Sequence, residues 1–574
     1  MKKLLKYLKG YTKECILGPL FKLFEATLEL LVPLVVGAMI DNGIEQSNTP
    51  YIVKAALLLL LLGAVGLAFS VTAQFFAAKA SVGFVTRLRS ALFQKVGKLS
   101  YDDLDRMGTS SLITRMTADC NTVQSGANLA LRLLLRSPFV VFGAMVMAFT
   151  VDVPSAIIFT VVIPVLSVVV FGIMLWTIPL YKKVQTKLDG VVTATRETIG
   201  GARVIRAFCR EEQKIEEFHE ENGALTAAQK FVGRISNLLN PVTFIIINAA
   251  TLFLIYRGAL RVDNGILTQG EVVALYNYMG LILVELIKLA SLIISIAKAL
   301  ASAGRIATVL ETEPSMKNGT RPFEAKGEEI LSFENVSLRY VGAGEDSLSD
   351  ITFSVKRGET VGIIGATGSG KSSLINLIPR FYDATEGRIL LFGEDIRSYD
   401  TESLREHIGV VPQKAVLFKG TLRDNMKWGR EDAIDSEIAS ALETAQATKV
   451  VEDKGGLDAE IEAGGRNLSG GQRQRLTIAR ALVKRPEILI LDDSASALDF
   501  ATDAALRSAL REDTKGSTLF IVSQRASSLL FADKIIVLDD GEAIAIGTHG
   551  ELLTTCPLYR EIYETQFQGG GESA

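Results

Sequence analysis

The chain has few of the residues that build metal sites and disulfide frameworks. Its 574 residues include four cysteines and three histidines. The cysteines are widely separated and show none of the paired spacings that hold a metal ion, so we expect four free thiols and a water-exposed portion that faces the cytoplasm. They are Cys15, Cys120, Cys209 and Cys556.

An excess of positive charge is also missing. The formal net charge is -3 and the sequence pI is about 5.9, so the composition gives no reason to expect a nucleic-acid partner. No cleavable secretory signal is apparent, because the lysine-rich amphipathic stretch Met1 to Lys13 has no small-residue cleavage site behind it. We predict an interfacial helix over residues 1–14.

The composition indicates a chain of two different parts. Hydrophobic residues make up 48% and charged residues 22% of the chain, with a mean hydropathy of +0.29, which is too apolar for a soluble protein and too charged for a wholly membranous one. Apolar stretches of membrane-spanning length recur before about residue 300, whereas short apolar runs alternate with charged and glycine-rich turns after about residue 330. We predict an all-α transmembrane domain over 15–312, a linker over 313–329 and an α/β domain over 330–574.

The apolar half contains six candidate transmembrane helices. A helix needs roughly 20 mostly apolar residues to cross about 30 Å of hydrocarbon. The predicted spans lie near residues 15–40, 53–78, 127–150, 153–178, 235–260 and 271–299.

The connections between these spans predict the orientation of the chain. The short ones, Asp41 to Ile52, Val151 to Pro154 and Val262 to Gly270, contain no Lys or Arg, whereas the long ones are rich in both. By the positive-inside rule, both termini and the two long loops are cytoplasmic. The long loops have few prolines and helical spacing, so we expect them to extend the spans as helices roughly 35 to 40 Å beyond the bilayer.

Several ionisable residues lie inside the predicted spans, where they are costly unless they face protein or water. Glu285 and Lys288 have the spacing of an ion pair on one helix, and Glu25 and Glu29 lie one turn apart. For these residues a structural ion pair and a polar lining of a substrate cavity both remain open. For Arg132 and Arg136 we favour snorkelling to the interface.

The α/β half contains a phosphate-binding loop in the required context. The apolar strand Val361 to Ile364 leads into a glycine-rich loop, and a helix begins near Ser372. The glycines let backbone amides converge on phosphates, Lys371 supplies a full positive charge, and the Ser372 hydroxyl is a Mg²⁺ ligand. The predicted nucleotide-binding residues are Gly365, Thr367, Gly368, Ser369, Gly370, Lys371, Ser372 and Ser373.

Two more motifs follow the loop at characteristic distances. The sequence Leu468-Ser-Gly-Gly-Gln472 lies about a hundred residues downstream, and the apolar strand Ile488 to Leu491 then ends in Asp492. Together with the apolar N-terminal half, this set resembles an ATP-binding cassette exporter. The resemblance implies ATP and Mg²⁺ as cofactors, adenine stacking by Tyr340, Mg²⁺ contacts by Gln413 and Asp492, and a dimer-interface loop, Ser496 to Asp499.

The resemblance also implies a second cassette, which this chain lacks. In the family, the signature closes on ATP bound to the opposite subunit, so a dimer follows. The predicted signature residues are Ser469, Gly470, Gly471 and Gln472. The loop tips near Asp105 to Thr117 and Gly200 to Arg210 resemble the coupling helices that dock on the nucleotide-binding domains, although polar hairpin tips would look alike in isolation.

The chain departs from the family pattern at three positions. Asp493 stands where the family has a catalytic glutamate, and Gln524 stands where it has a switch histidine. The shorter carboxylate withdraws by more than about 1 Å from the proton that a general base must reach. Glutamine donates a hydrogen bond but cannot carry the charge or proton of imidazole. Before the signature, Ala463 occupies the position of a further glutamate, with Glu462 adjacent.

These departures indicate a site that binds ATP and hydrolyses it weakly. The chain therefore resembles the degenerate-site subunit of bacterial heterodimeric multidrug exporters, whose partner carries the consensus Glu and His and turns over ATP against this chain's signature. The implied protein lies in the inner (plasma) membrane and moves a hydrophobic or amphipathic drug, lipid or peptide outward. A homodimer with two slow sites, an ATP-gated channel or regulatory subunit, and an importer built on the exporter scaffold remain alternatives.

Overall fold

The structure of the chain falls into two compact units. It is a computed structural model that describes residues 2–324, 327–494, 498–513 and 516–568. The first unit comprises Met1–Gly97 and Ser110–Thr312, and the second comprises Lys98–Thr109 and Glu313–Ala574. A short segment that joins two helices of the first unit therefore packs as part of the second.

Six helical stretches of the described residues are long and apolar enough to cross a bilayer, which confirms the predicted number of spans. They run from 33 to 53 residues, so the long loops do extend the spans as helices. A 3₁₀ helix, Lys2–Leu8, precedes the first of them. The α-helices are α1 Thr12–Met39, α2 Thr49–Val96, α3 Tyr101–Met107, α4 Thr109–Thr114, α5 Cys120–Leu133, α6 Arg136–Val151, α7 Val153–Gly200, α8 Ala202–Ala207, α9 Glu211–Asn237, α10 Leu239–Asp263 and α11 Gln269–Glu311.

Proline interrupts two of these stretches. The predicted span 127–150 is broken between α5 and α6 at Leu134 and Leu135. Pro138 has no N–H to donate to the carbonyl four residues earlier, which is that of Leu134, so one hydrogen bond of the helical ladder is missing there. Pro241 has the same effect on the bond to Asn237, where α9 ends.

Polar side chains close the short connections. The first connection is shorter than the predicted Asp41 to Ile52, because a π-helical turn, Ile40–Ile44, extends α1. The Asp41 carboxylate accepts hydrogen bonds from the Gly270 N–H at 2.7 Å and the Thr268 hydroxyl at 2.6 Å, and so joins the end of α1 to the start of α11. Asp152 caps α7 by accepting from the Ser155 N–H at 3.0 Å.

A buried ion network replaces the predicted snorkelling of Arg136. Its guanidinium donates to Glu285 at 2.6 Å and also to Glu29, and the Arg136 side chain is 7% exposed. The interpretation was wrong because two carboxylates from other helices neutralise the charge inside the bundle, where hydrocarbon would otherwise exclude it. Lys288 contacts the same Glu285 oxygen at 2.9 Å, which confirms the predicted pair. Arg132 is half-buried.

The second unit is built on a six-stranded sheet in the order β12-β11-β3-β10-β9-β6, in which all but the edge strand β12 run parallel. A four-stranded antiparallel sheet, β2-β1-β4-β5, and the pair β7-β8 accompany it. The strands are β1 Glu329–Leu338, β2 Leu348–Lys356, β3 Thr360–Gly365, β4 Glu386–Leu391, β5 Glu394–Asp395, β6 Ile408–Val411, β7 Gly420–Thr421, β8 Glu460–Ile461, β9 Ile488–Asp492, β10 Thr518–Val522, β11 Lys534–Asp539 and β12 Glu542–Gly547. The helices are α12 Lys371–Leu377, α13 Thr401–Glu406, α14 Leu422–Lys427, α15 Asp435–Thr444, α16 Thr448–Lys454, α17 Gly470–Val483, α18 Phe500–Asp513, α19 His549–Thr555 and α20 Pro557–Gln568.

The central strands are apolar throughout because both faces of the large sheet are covered. In β9, Leu489 and Leu491 enter one hydrophobic core while Ile488 and Ile490 enter the other. This alternation follows the period of two in a strand. The predicted fold class is confirmed, and the carboxyl ends of β3 and β9 meet at one edge of the sheet.

Candidate nucleotide-binding site

The predicted phosphate loop leaves β3 and enters α12 in a conformation that demands glycine. Gly368 and Gly370 have φ angles of +89° and +93°, where residues with a Cβ are strained. A Cβ added to Gly365 would lie 2.1 Å from the carbonyl oxygen of Leu538 on the adjacent strand β11. The loop backbone is therefore fixed by close approach to the sheet.

Lys371 at the start of α12 is folded over its own loop. Its ammonium donates hydrogen bonds to the carbonyl oxygens of Gly365 at 2.9 Å and Ala366 at 2.5 Å. Burial lowers the pKa of Lys371, and the carboxylates of Asp493 and Asp492 oppose that shift. All three of its hydrogen-bond partners, including Ser369, are neutral oxygens, so its charge is available to an anion that enters the loop.

Oxygen ligands suited to Mg²⁺ lie beside this lysine. The Ser372 hydroxyl donates to the two Asp492 carboxylate oxygens at 3.3 and 3.2 Å. Burial raises the pKa of Asp492, and the hydrogen bond from Ser372 opposes it. Gln413 also faces this site, and its amide lies 3.4 Å from an Asp493 oxygen. No group of three or more His, Cys, Asp or Glu side chains in the described ranges could hold a metal ion alone.

These groups line an open cavity of about 740 Å³, which is within the size range of small-molecule sites. It brings together most of the residues predicted for the site, including Thr367, Gly368, Gly370, Lys371, Ser372, Ser373, Gln413, Asp492, Asp493 and Gln524. The remaining wall comes from loops that the sequence patterns did not indicate: Ala343 to Ser347, and Asp540 with Gly541.

Two of the three departures from the family pattern, Asp493 and Gln524, face this same cavity. Asp493 follows β9 with a left-handed backbone, at φ +44°, and its N–H donates to the Val522 carbonyl at 3.0 Å. Gln524 follows the neighbouring strand β10 and is exposed. None of the three histidines, all of which lie in the described ranges, lines the cavity: the ring of His407 stacks on Phe323, and His549 contacts Tyr559.

The loop that carries Gln524 is held by the C-terminal helix α20. The amide of Gln566 donates to the Gln524 carbonyl and accepts from the Ala526 N–H, both at 2.8 Å. One side chain thus satisfies two backbone groups on either side of Arg525. No sequence pattern indicated this contact, because Gln566 is remote in the chain and lies outside every motif.

Tyr340 lies beside the cavity lining. Its hydroxyl donates to the Ser373 hydroxyl at 3.0 Å, and its ring meets that of Tyr382 edge to face at 5.0 Å between centroids. Adenine stacking by Tyr340 stays a prediction.

The signature residues are separate from this cavity. Ser469 caps α17 in a capping box in which the Ser469 N–H donates to the Gln472 side chain at 2.9 Å. Ser469 and Gly470 are exposed, and none of the four signature residues lines the cavity. Asp499 caps α18 by accepting from the Thr502 N–H at 2.9 Å. Ser496 and Ala497, in the rest of that predicted loop, lie outside the described residues.

The first loop tip docks on the nucleotide-binding unit, but four residues earlier than predicted. The docking helix is α3, which begins at Tyr101 because Ser100 and Asp103 form a capping box, and Gly108 ends it at φ +73°. Tyr101 packs on Phe381 at 4.8 Å between ring centroids. The Tyr382 hydroxyl donates to Asp105 at 2.9 Å.

These contacts join α3 to the phosphate-loop helix. Tyr382 contacts Asp105 on one side and the ring of Tyr340 on the other, and Tyr340 bonds Ser373 of α12. Burial and the Asp105 carboxylate raise the pKa of Tyr382, so its hydroxyl remains a donor. A capping-box search would have found α3, whereas nothing in the motif spacing indicated Tyr382.

Known proteins match the whole chain. The family model "ABC transporter transmembrane region" matches residues 15–286, and the model "ABC transporter" matches residues 348–496. The uncharacterized ABC transporter ATP-binding protein YfiB of Bacillus subtilis is 36% identical over 100% of both chains. The multidrug efflux ATP-binding/permease protein Rv0194 of Mycobacterium tuberculosis is 31% identical over 97% of this chain, which spans 46% of that protein.

A solved structure shares the fold. The structure of a bacterial Atm1-family ABC exporter with ATP bound superposes with a TM-score of 0.79 and 24% identity, and the match covers 98% of this chain and 99% of that one. The six spans, the α/β unit and the full-length relatives agree. The chain belongs to the ABC transporters, with one transmembrane region and one ATP-binding domain, and it has the fold of an ABC exporter.

Proposed function

We propose that this chain is the weakly hydrolysing subunit of a heterodimeric exporter. The observation that carries the proposal is the sharing of one cavity by Lys371 and Ser372, which suit phosphate binding, with Asp493 and Gln524, which replace the catalytic pair. A general base must lie within hydrogen-bonding reach of its proton. The left-handed backbone and short side chain of Asp493 disfavour that reach.

The chain's second contribution is its signature. Ser469 and Gly470 are exposed at the start of α17 and Gly471 is half-buried, which suits a phosphate cradle for ATP held by another subunit. The partner would carry the consensus Glu and His and perform most of the hydrolysis. Ser372, Asp492 and Gln413 would hold Mg²⁺, which would supply positive charge to neutralise the phosphates.

A hydrophobic or amphipathic substrate fits a membrane region of this kind. The multidrug efflux name of one relative supports export of drug-like molecules. An ATP-gated channel or regulatory subunit would use the same weak site as a timer, and an importer would reverse the direction. ATP-dependent accumulation of a fluorescent drug in inside-out vesicles supports export, whereas dissipation of a preformed drug gradient favours the channel.

Nucleotide trapping tests the inequality of the two sites. The transporter, purified with its partner, is incubated with a photoreactive radiolabelled ATP and irradiated after turnover. We expect intact triphosphate on this chain and diphosphate on the partner. Lys371→Ala is the control and should remove the label from this chain alone. Diphosphate in equal amounts on both chains would instead support two equivalent slow sites.

The orientation of the chain is part of the proposal. The protein lies in the inner (plasma) membrane. Both termini and the ATP-binding domain lie in the cytoplasm. Cysteine at Ser47, in a variant without the four native thiols, should react with a membrane-impermeant maleimide added to intact cells. Cysteine at Ser110 should react only after the cells are opened. The reverse pattern would overturn the topology.

A further inference from the structure

Two arginines one turn apart on α10 have opposite surroundings. Arg261 pairs with Asp152 at 2.7 Å, and the same carboxylate caps α7. Arg257 is exposed and has neither an ion pair nor a hydrogen bond to any of the described residues. Arg261 therefore joins α10 to α7 through Asp152, whereas no described side chain of this unit neutralises the charge of Arg257.

Arg257 faces an apolar groove between α7 and α10. The groove has a volume of about 470 Å³. Its walls include Ile157 and Val161 of α7 and Phe253 of α10, whose side chains are 55%, 59% and 54% exposed. Among the residues that the structure describes, Arg257 is the one charged residue that lines it. A single cation at the end of an apolar groove suits an amphiphile with an anionic head and a hydrocarbon tail.

The depth of Arg257 fits such a ligand. It lies six residues before the end of α10 at Asp263, which is roughly 9 Å along the helix. The headgroup layer is about 5 to 8 Å thick on each side of the hydrocarbon. With the end of α10 at the outer surface of the bilayer, as in the proposed topology, the guanidinium lies near the boundary at which phosphates give way to acyl chains, and an unpaired charge at that depth calls for an anionic partner.

We propose that Arg257 and this groove bind an anionic phospholipid. The guanidinium pairs with the phosphate through two parallel N–H···O bonds, the geometry that arginine offers and lysine does not. One acyl chain lies along Ile157, Val161 and Phe253. The site is separate from the ATP-binding domain, so it stands whether or not the two nucleotide sites are unequal.

Photocrosslinking in nanodiscs tests this site. The full-length chain, in the oligomeric form in which it purifies, is reconstituted with phosphatidylglycerol that carries a diazirine on one acyl chain. Mass spectrometry then maps the labelled peptides. We expect labelling of residues 154–162 and 250–257, about fivefold weaker in Arg257→Gln and reduced by a smaller factor in Arg257→Lys, which keeps the charge but not the two parallel N–H groups. A phosphatidylcholine probe should label the groove less than the anionic probe.

Lys54 provides the matched control. It is an exposed cation five residues inside the start of α2 and does not line this groove, so Lys54→Gln should leave the labelling unchanged. Ile157→Trp fills the groove without touching the charge and should also reduce the labelling, which covers the case in which Arg257→Gln does not fold. Equal labelling of wild type and Arg257→Gln would overturn the proposal. So would a disulfide between chains through Phe253→Cys together with no lipid labelling, because a second polypeptide would then occupy the groove.

Discussion

The signature edge and the cavity wall of the ATP-binding domain have kept different amounts of the exporter pattern. At the edge, Ser469 and Gln472 form a complete capping box at the start of α17, and Ser469 and Gly470 are exposed. At the wall, the phosphate loop shares the cavity with Asp493 and Gln524, which differ from the residues of the family pattern. The contrast teaches that the phosphate loop, which follows β3, and the two differing residues, which follow β9 and β10, belong to separate segments of the chain.

The largest effect, a gain in ATP hydrolysis, should come from giving Asp493 and Gln524 the residue types of the family pattern. Asp493→Glu with Gln524→His returns the reach of the base and the imidazole, and general-base placement contributes on the order of 100- to 10,000-fold to a rate. Phosphate release is measured with a partner whose own catalytic glutamate is replaced by glutamine. Each single change should recover less, because both groups act on one transition state. No gain in the double variant would place the impairment elsewhere, such as in the partner's signature.

Substitution of a signature residue should lower ATP turnover at the partner's site. Ser469→Ala removes a hydroxyl that the proposed dimer places on the partner's ATP, and loss of one such donor costs about 100-fold in turnover. Lys371→Ala should instead weaken ATP retention on this chain and leave much of the turnover. Steady-state phosphate release and nucleotide trapping separate the two results. Equal inactivation by both variants would remove the basis for unequal sites.

A smaller effect is expected from the contact between Tyr382 and α3. Tyr382→Phe keeps the ring against Tyr340 but loses the 2.9 Å hydrogen bond to Asp105. We expect substrate stimulation of ATP hydrolysis to fall about tenfold, from the loss of one hydrogen bond to a charged group, with ATP binding unchanged. Tyr399→Phe is the control, since its hydroxyl bonds the Leu391 carbonyl. Equal loss of stimulation in both variants would indicate general destabilisation.

The smallest effect concerns the loop behind Gln524. Gln566→Ala removes both hydrogen bonds that hold Gln524 and Ala526. Hydrogen exchange at the Ala526 amide should become faster, because an unprotected loop opens locally, while turnover changes by less than about twofold. Glu564→Ala, an exposed change on the same helix, should leave the exchange rate as it is. An unchanged rate in Gln566→Ala would show that other contacts fix this loop.

Local chain chemistry predicted much of the molecule. The phosphate loop, the strand before Asp492 and the number of spans follow from glycine spacing and apolar run lengths, which act over a few neighbouring residues. The start of α3 was predictable in principle from Ser100 and Asp103. The roles of the individual site residues remain predictions.

Long-range pairing was not accessible to the same reasoning. Arg136 meets Glu285 across 149 positions in the chain, and Gln566 meets Ala526 across 40. Such contacts depend on which helix faces meet, and one sequence carries no record of that. The left-handed backbone of Asp493 is a similar case: aspartate tolerates that conformation better than most residues, so the shorter side chain and the backbone turn arise together.

The hydrogen bonds of Asp41 can form only after the last span begins to be synthesised. The carboxylate at the end of the first span is satisfied by the Gly270 N–H at the start of the last, 229 positions later. At a synthesis rate of about 5 to 20 residues per second, the ribosome needs roughly 11 to 46 seconds to cover that interval. During that time the first span lies in the bilayer without the hydrogen bond from Gly270 to Asp41. A chain released before α11 is made cannot form this bond at all.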